Sequence, residues 1–127
     1  ANASRKSPSA PDANMAFRVV FAEDAERDLD LIFTFLVESG LAFGEAPGEA
    51  IDGALKRTDA IRADADKIGG APYRGTLDDV LMEGLRHVTI NRAIFYFLVD
   101  EDHQEVLILA VFFGGQDHQR RMLERLL

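Results

Sequence analysis

The apolar positions change period along the chain, and each change marks an element. FRVVF, over 17–21, is β-branched and aromatic and stops at AEDAERD, whose acids crowd the first turn of a helix, where negative charge meets the positive end of the helix dipole. Leu29, Ile32, Phe33 and Leu36 then fall at the i, i+3, i+4, i+7 spacing of a buried helical stripe, predicting a helix over about 24–39 that Gly40 stops. After the break LAFGEAPGE, a second stripe runs through Ile51, Ala54, Leu55, Thr58, Ile61, Ala65 and Ile68 and ends at Gly69 and Gly70. The two helices make an antiparallel hairpin. From residue 72 the period becomes strand-like. PYRGTLDDVLMEG is turn-rich with room for a short strand, and LRHVTI (85–90), AIFYFLVD (93–100) and EVLILAVFF (105–113) follow at hairpin distance, reversing at Asn91-Arg92 and at EDHQ. In the closing DHQRRMLERLL, Asp117 is a candidate N-cap and Met122, Leu123, Leu126 and Leu127 form an apolar edge, which predicts a short C-terminal helix. The fold class is α+β: an N-terminal strand, an antiparallel helical hairpin, a three- to four-stranded antiparallel meander and a short C-terminal helix.

The last two strands are apolar on both faces. By strict alternation Ile94, Tyr96 and Leu98 oppose Phe95, Phe97 and Val99, and Val106, Ile108, Ala110 and Phe112 oppose Leu107, Leu109, Val111 and Phe113. The hairpin covers one face. A single short helix is small cover for the other, and each exposed Leu, Ile or Phe forgoes roughly 1.5–3 kcal/mol of burial. The expectation is a second polypeptide on the face opposite the hairpin.

A length of 127 residues with 47% hydrophobic content suits one domain, here 15–127, preceded by a tail over 1–14 (ANASRKSPSAPDAN) that lacks the apolar core of a secretory signal. Met15 is the expected natural start. The longest apolar run, VLILAVFF, has eight positions, well short of the roughly 18–20 that span a bilayer, so no membrane partner is expected. The absence of cysteine removes disulfides, thiolate metal sites and thiol nucleophiles and suits a cytoplasmic location. The net charge of -8 is carried mostly by 15–67, with six Lys/Arg against twelve Asp/Glu. Binding to phosphates draws on counterion release by cations, so direct nucleic-acid binding is not expected.

Three histidines are candidates for chemistry. His103 lies among Asp100, Glu101 and Asp102, where a solvated turn competes with a metal cluster. His87 shares a strand face with Leu85 and Thr89 and suits a hydrogen-bonded structural role or a base. His118 begins the last helix beside Gln116 and Asp117 and near Arg120 and Arg121, as a general acid–base or as part of a cap. Arg74 and Arg86 follow loops into the sheet, where their forked guanidinium groups suit a phosphate or a carboxylate. No P-loop, GxGxxG, HExxH, CxxC or GxSxG occurs, and no cofactor or metal is expected.

The segments DLDLIFTFL, PYRG, GLR, IFYFLVD and EVLILAVFFGGQD, in this order over about 15–123, resemble the RelE/ParE superfamily of toxins from type II toxin–antitoxin modules, ParE-like members more than RelE-like ones. The resemblance implies a small sheet on a helical hairpin, a cognate antitoxin as partner, and as target either DNA gyrase (ParE-like) or messenger RNA on the ribosome (RelE-like). Phe97 stands where the nuclease pattern prefers Arg, and Phe113 where many nucleases have His; both changes remove acid–base or phosphate-binding capacity. A non-catalytic gyrase inhibitor, of the plasmid-stabilising kind, is therefore the leading expectation. Its target surface would comprise Arg86, Phe113, Gly114, Gly115, Gln116, Asp117 and Arg121, and its antitoxin surface Phe95, Phe97, Val99, Leu107, Leu109 and Val111. The alternatives are a ribosome-dependent endonuclease using His118, Arg86 and Arg120, and an inactive binding module that keeps only antitoxin affinity.

Overall fold

The computed structural model describes residues 16–114 and 117–127. The expected tail over 1–14, the expected start at Met15, and Gly115 and Gln116 lie outside the described residues. Strand β1 (Arg18–Phe21) leads into helix α1 (Glu23–Ala42), which turns back through α2 (Pro47–Gly70). A two-residue strand β2 (Thr76–Leu77) precedes the meander β3 (Arg86–Ile90), β4 (Ala93–Asp100) and β5 (Glu105–Phe113), and α3 (His118–Leu126) closes the chain. The class is α+β, as the periodicity predicts. The sheet is five-stranded and mixed, in the order β1-β5-β4-β3-β2, with β1 parallel to β5 and the other pairs antiparallel.

The α1–α2 hairpin covers one face of the sheet. Leu29 and Ile32 from α1 and Ile61, Ala65 and Ile68 from α2 pack on Phe95, Phe97, Val106 and Ile108. The reversal between β3 and β4 holds Asn91 and Arg92 at φ 49° and 73°, the positive pair that a two-residue loop needs to match the strand twist. Asn91 also ties this reversal to α2, its side-chain amide donating to Asp64 at 2.9 Å. That bond, with a further one from Lys67, holds the Asp64 carboxyl below the usual carboxylate range.

Three expectations need correction. Gly40 lies inside α1, which runs on to Ala42; a β-carbon there would sit 2.5 Å from Glu45 Oε1 and 3.1 Å from Ala50, so this glycine admits the returning chain instead of stopping the helix. The strict alternation fails in β5. Phe97 pairs with Ile108 and Tyr96 with Ala110, which leaves Leu109 unmatched as a bulge and reverses the faces beyond it. Val111, expected on the partner face, therefore packs against the hairpin; Phe95, Phe97 and Val99 do so as well, because β4 keeps its alternation and the hairpin takes that side of it, while Leu107 and Leu109 stay opposite. The opposite face is also largely covered by the chain itself. Leu81, Leu85, Met122 and Leu126 close over Ile94, Tyr96, Ala110 and Phe112, and only its Leu98, Leu107 and Leu109 end remains partly open. One helix suffices because the 78–85 turn, bonded from Asp78 N–H to Leu85 O at 2.7 Å, folds over the same face.

Candidate functional site

The polar groups of the face opposite the hairpin converge where β3, β4 and α3 meet. His87 and Tyr96 are cross-strand partners, so their side chains point the same way, and the rings stand 5.2 Å apart. The α3 helix adds His118, whose Nδ1 lies 2.9 Å from the Tyr96 hydroxyl and whose ring is 5.3 Å from that of His87. Asp78, from the turn after β2, reaches His87 Nδ1 at 2.6 Å with both side chains mostly buried. The result is two hydrogen-bonded pairs, Asp78–His87 and Tyr96–His118, whose rings lie 5.2–5.8 Å from one another. Asp117 caps α3, accepting from Arg120 N–H at 3.4 Å.

Burial, with smaller contributions from the charges of Asp78 and Asp117, pushes the Tyr96 phenol up to about 12. The neutral form is thus favoured in the folded chain relative to the unfolded one, whose tyrosines titrate near 10. This contribution is complete below about pH 10 and is lost as pH rises through about 12, by roughly 2–3 kcal/mol. Tyr96→Phe should lack that part of the alkaline loss. Tyrosinate absorbance can check it directly, because the only other tyrosine is Tyr73, an exposed residue whose bond to Glu101 also raises its pKa.

The structure separates residues that the sequence grouped. Arg86 pairs with Phe97 and points to the hairpin side, where its Nη1 donates to the carbonyls of Tyr73 at 3.2 Å and Gly75 at 3.1 Å. It stands across the sheet from His118, so His118, Arg86 and Arg120 do not form one site. Phe113 and Gly114 end β5 as expected; Gly114 has φ +86°, which favours glycine, and its N–H donates to Arg92 O at 3.1 Å. Arg121 lies over the Phe112 ring at 4.9 Å. His103 sits in the exposed turn with Nδ1 2.9 Å from Asp100. Asp78 as the partner of His87, and the Tyr96 hydroxyl as the partner of His118, were missed. Their neighbours in the chain carry no sign of either contact, which only the strand register and the packing of α3 create.

No family model and no curated protein matches the chain in sequence. Solved structures do match it in shape. A chain of the RelBE2 toxin–antitoxin complex from Mycobacterium tuberculosis superposes at TM-score 0.58 and 18% identity, covering 80% of this chain and 95% of that one. A chain of the chromosomal ParDE toxin–antitoxin system from P. aeruginosa does so at 0.57 and 17%, covering 80% and 99%. The fold is the one these two chains have, and the two likenesses are too even to set one above the other. Among the described residues no helix is long and apolar enough to cross a membrane.

Proposed function

We propose that this chain is the toxin of a type II toxin–antitoxin pair, cytoplasmic and neutralised by a cognate antitoxin, and that it acts by binding DNA gyrase. The fold likeness supports the toxin role. The observation that carries the binding mode is the separation of Arg86 from His118 by the thickness of the sheet. Ribose–phosphate cleavage needs a base at the 2'-hydroxyl and a cation at the phosphorane within one pocket. Arg86, bonded to two backbone carbonyls on the hairpin side, does not supply that cation to His118. An inhibitor that binds needs only a complementary surface, and the one we assign to it is the end of β5 with the start of α3, Phe113, Gly114, Asp117 and Arg121.

A gyrase supercoiling assay tests this. Micromolar purified chain should suppress supercoiling or accumulate cleaved DNA, and intact activity with a folded chain would remove gyrase as the target. A second reading, a ribosome-dependent messenger-RNA endonuclease, is favoured by the neighbouring pairs Asp78–His87 and Tyr96–His118, either of whose histidines could act as a base. Primer extension on translated messages separates the two. Under the gyrase reading His118→Ala keeps its toxicity; under the nuclease reading it loses cleavage by about 10²-fold or more.

A further inference from the structure

Strand β5 outruns its parallel neighbour, because β1 ends at Phe21 opposite Ile108. Beyond that point Asp28 of α1 takes the Val111 N–H at 2.9 Å. Next to it opens a cleft of about 170 Å³, walled by Asp28, Leu31, Ile32 and Phe35 of α1, by Val111, Phe112 and Phe113 of β5, and by Arg121 of α3. Leu31 is 67% exposed and Phe35 54%, so two large apolar side chains of one helix face stand in water along its rim. The charge at this corner is the reverse of that of the molecule. In a chain of net charge -8, the Phe113 ring lies beneath two guanidinium groups, Arg57 at 5.2 Å and Arg92 at 5.6 Å. Among the described residues neither arginine makes an ion pair. Arg57 gives one Nη2 bond to Asn91 O at 2.8 Å, and its buried Nε finds no acceptor. Asp64, whose pKa is lowered partly by the charge of Arg57, already serves Asn91 and Lys67.

The geometry points to a docking groove for a carboxylate-bearing, apolar segment of a partner polypeptide, its apolar side chains between Leu31, Phe35 and Phe113 and its carboxylates on Arg57 and Arg92. Charge complementarity at the arginine pair selects an anionic partner, and the Phe113 ring, which the pair shares with the cleft beside Leu31 and Phe35, selects a peptide with apolar side chains over a nucleic acid. The inference extends the toxin reading by naming the chemistry of its partner; it rests on that reading only for identifying the partner as the antitoxin.

Random peptides of about 16 residues, displayed on phage and selected on the immobilised full chain, should converge on Asp/Glu interleaved with Leu, Ile or Phe. A synthetic peptide of that consensus should bind Arg92→Glu and Phe35→Ser at least about tenfold more weakly than the original chain. Both positions are exposed, and unchanged circular-dichroism melts will show that the variants fold. Basic or uncharged consensus peptides, equal binding to either variant, or no enrichment over a chain carrying both Phe35→Ser and Arg92→Glu would overturn the inference. So would a single-stranded RNA that competes with the peptide and binds more tightly. The selection reads binding and not toxicity, so a chain harmless to gyrase and to messages can still pass, and a toxic one can still fail.

Discussion

Arg125→Ala is expected to lower the unfolding free energy by about 2–3 kcal/mol and to release α3 from the sheet. Arg125 grips Asp28 with both ends of its fork, Nη1 to Oδ2 at 2.8 Å and Nη2 to Oδ1 at 2.7 Å, and the same carboxylate accepts the Val111 N–H. The Asp28 side chain is only 7% exposed. Removing the arginine leaves a buried carboxylate with a single backbone donor, a loss of the kind that costs about 3–5 kcal/mol when an ion pair is broken from one side. The 29% exposure of Arg125 lets water reach the site and places the effect below that range. Urea denaturation monitored by far-UV circular dichroism will measure it. The double variant Asp28→Ala/Arg125→Ala should lose less than the two single losses together, since it strands no charge. A change below about 0.5 kcal/mol in Arg125→Ala would mean that the pair behaves as a solvated surface contact and that Met122, Leu126 and the His118–Tyr96 bond seat α3 without it.

The strands β4 and β5 have the bounds that their sequences suggest, because each is a long β-branched and aromatic run between turn residues. The helical hairpin was legible for a similar reason, and so was most of its core: Leu29, Ile32, Ala54, Ile61, Ala65 and Ile68 lie on the two stripes and are buried. Ile51 and Leu55 continue the apolar stripe of α2 yet stand half exposed, while the small Ala50 and Ala54 are buried, since the helices approach closely there and leave no room for larger side chains. On β4 the alternation holds and only the choice of side was wrong, the hairpin taking Phe95, Phe97 and Val99; on β5 the alternation itself breaks at one residue. A bulge adds one unpaired position, Leu109, and with a period of two everything beyond it changes side. No local feature of VLILAVFF announces that bulge. The cover of the second face was underestimated because the 78–85 turn has no periodicity that would mark Leu81 and Leu85 as core.

The candidate site shows the same division between local and long-range information. Asp117 as a cap needs only the four residues that follow it, and the sequence shows it. Arg86 was drawn to the end of β5 by the GLR resemblance, whereas its side depends on being opposite Phe97, a fact of register. The arginines around Phe113 come from α2 and from the β3–β4 reversal, 56 and 21 positions away in the chain, so only the folded structure brings them together.

Phe97→Ala is expected to have the largest effect of all, a loss of about 3–5 kcal/mol. The ring has no exposure and lies in the core between the hairpin and the sheet. It packs so closely under the β2 approach that a β-carbon on Gly75 would come within 3.0 Å of Cζ. Truncation would leave a cavity that the paired Ile108 and the helices above it cannot close without moving backbone. Phe97→Leu, which keeps most of the volume, should cost clearly less. The same pair of variants decides which face a partner can use. With Phe97 sealed beneath the hairpin, partner affinity should change only as far as the folded fraction changes. A Phe97→Ala chain that stays within about 1 kcal/mol of the original stability, yet no longer binds its partner, would put Phe97 on an accessible surface and return the docking site to the middle of the sheet.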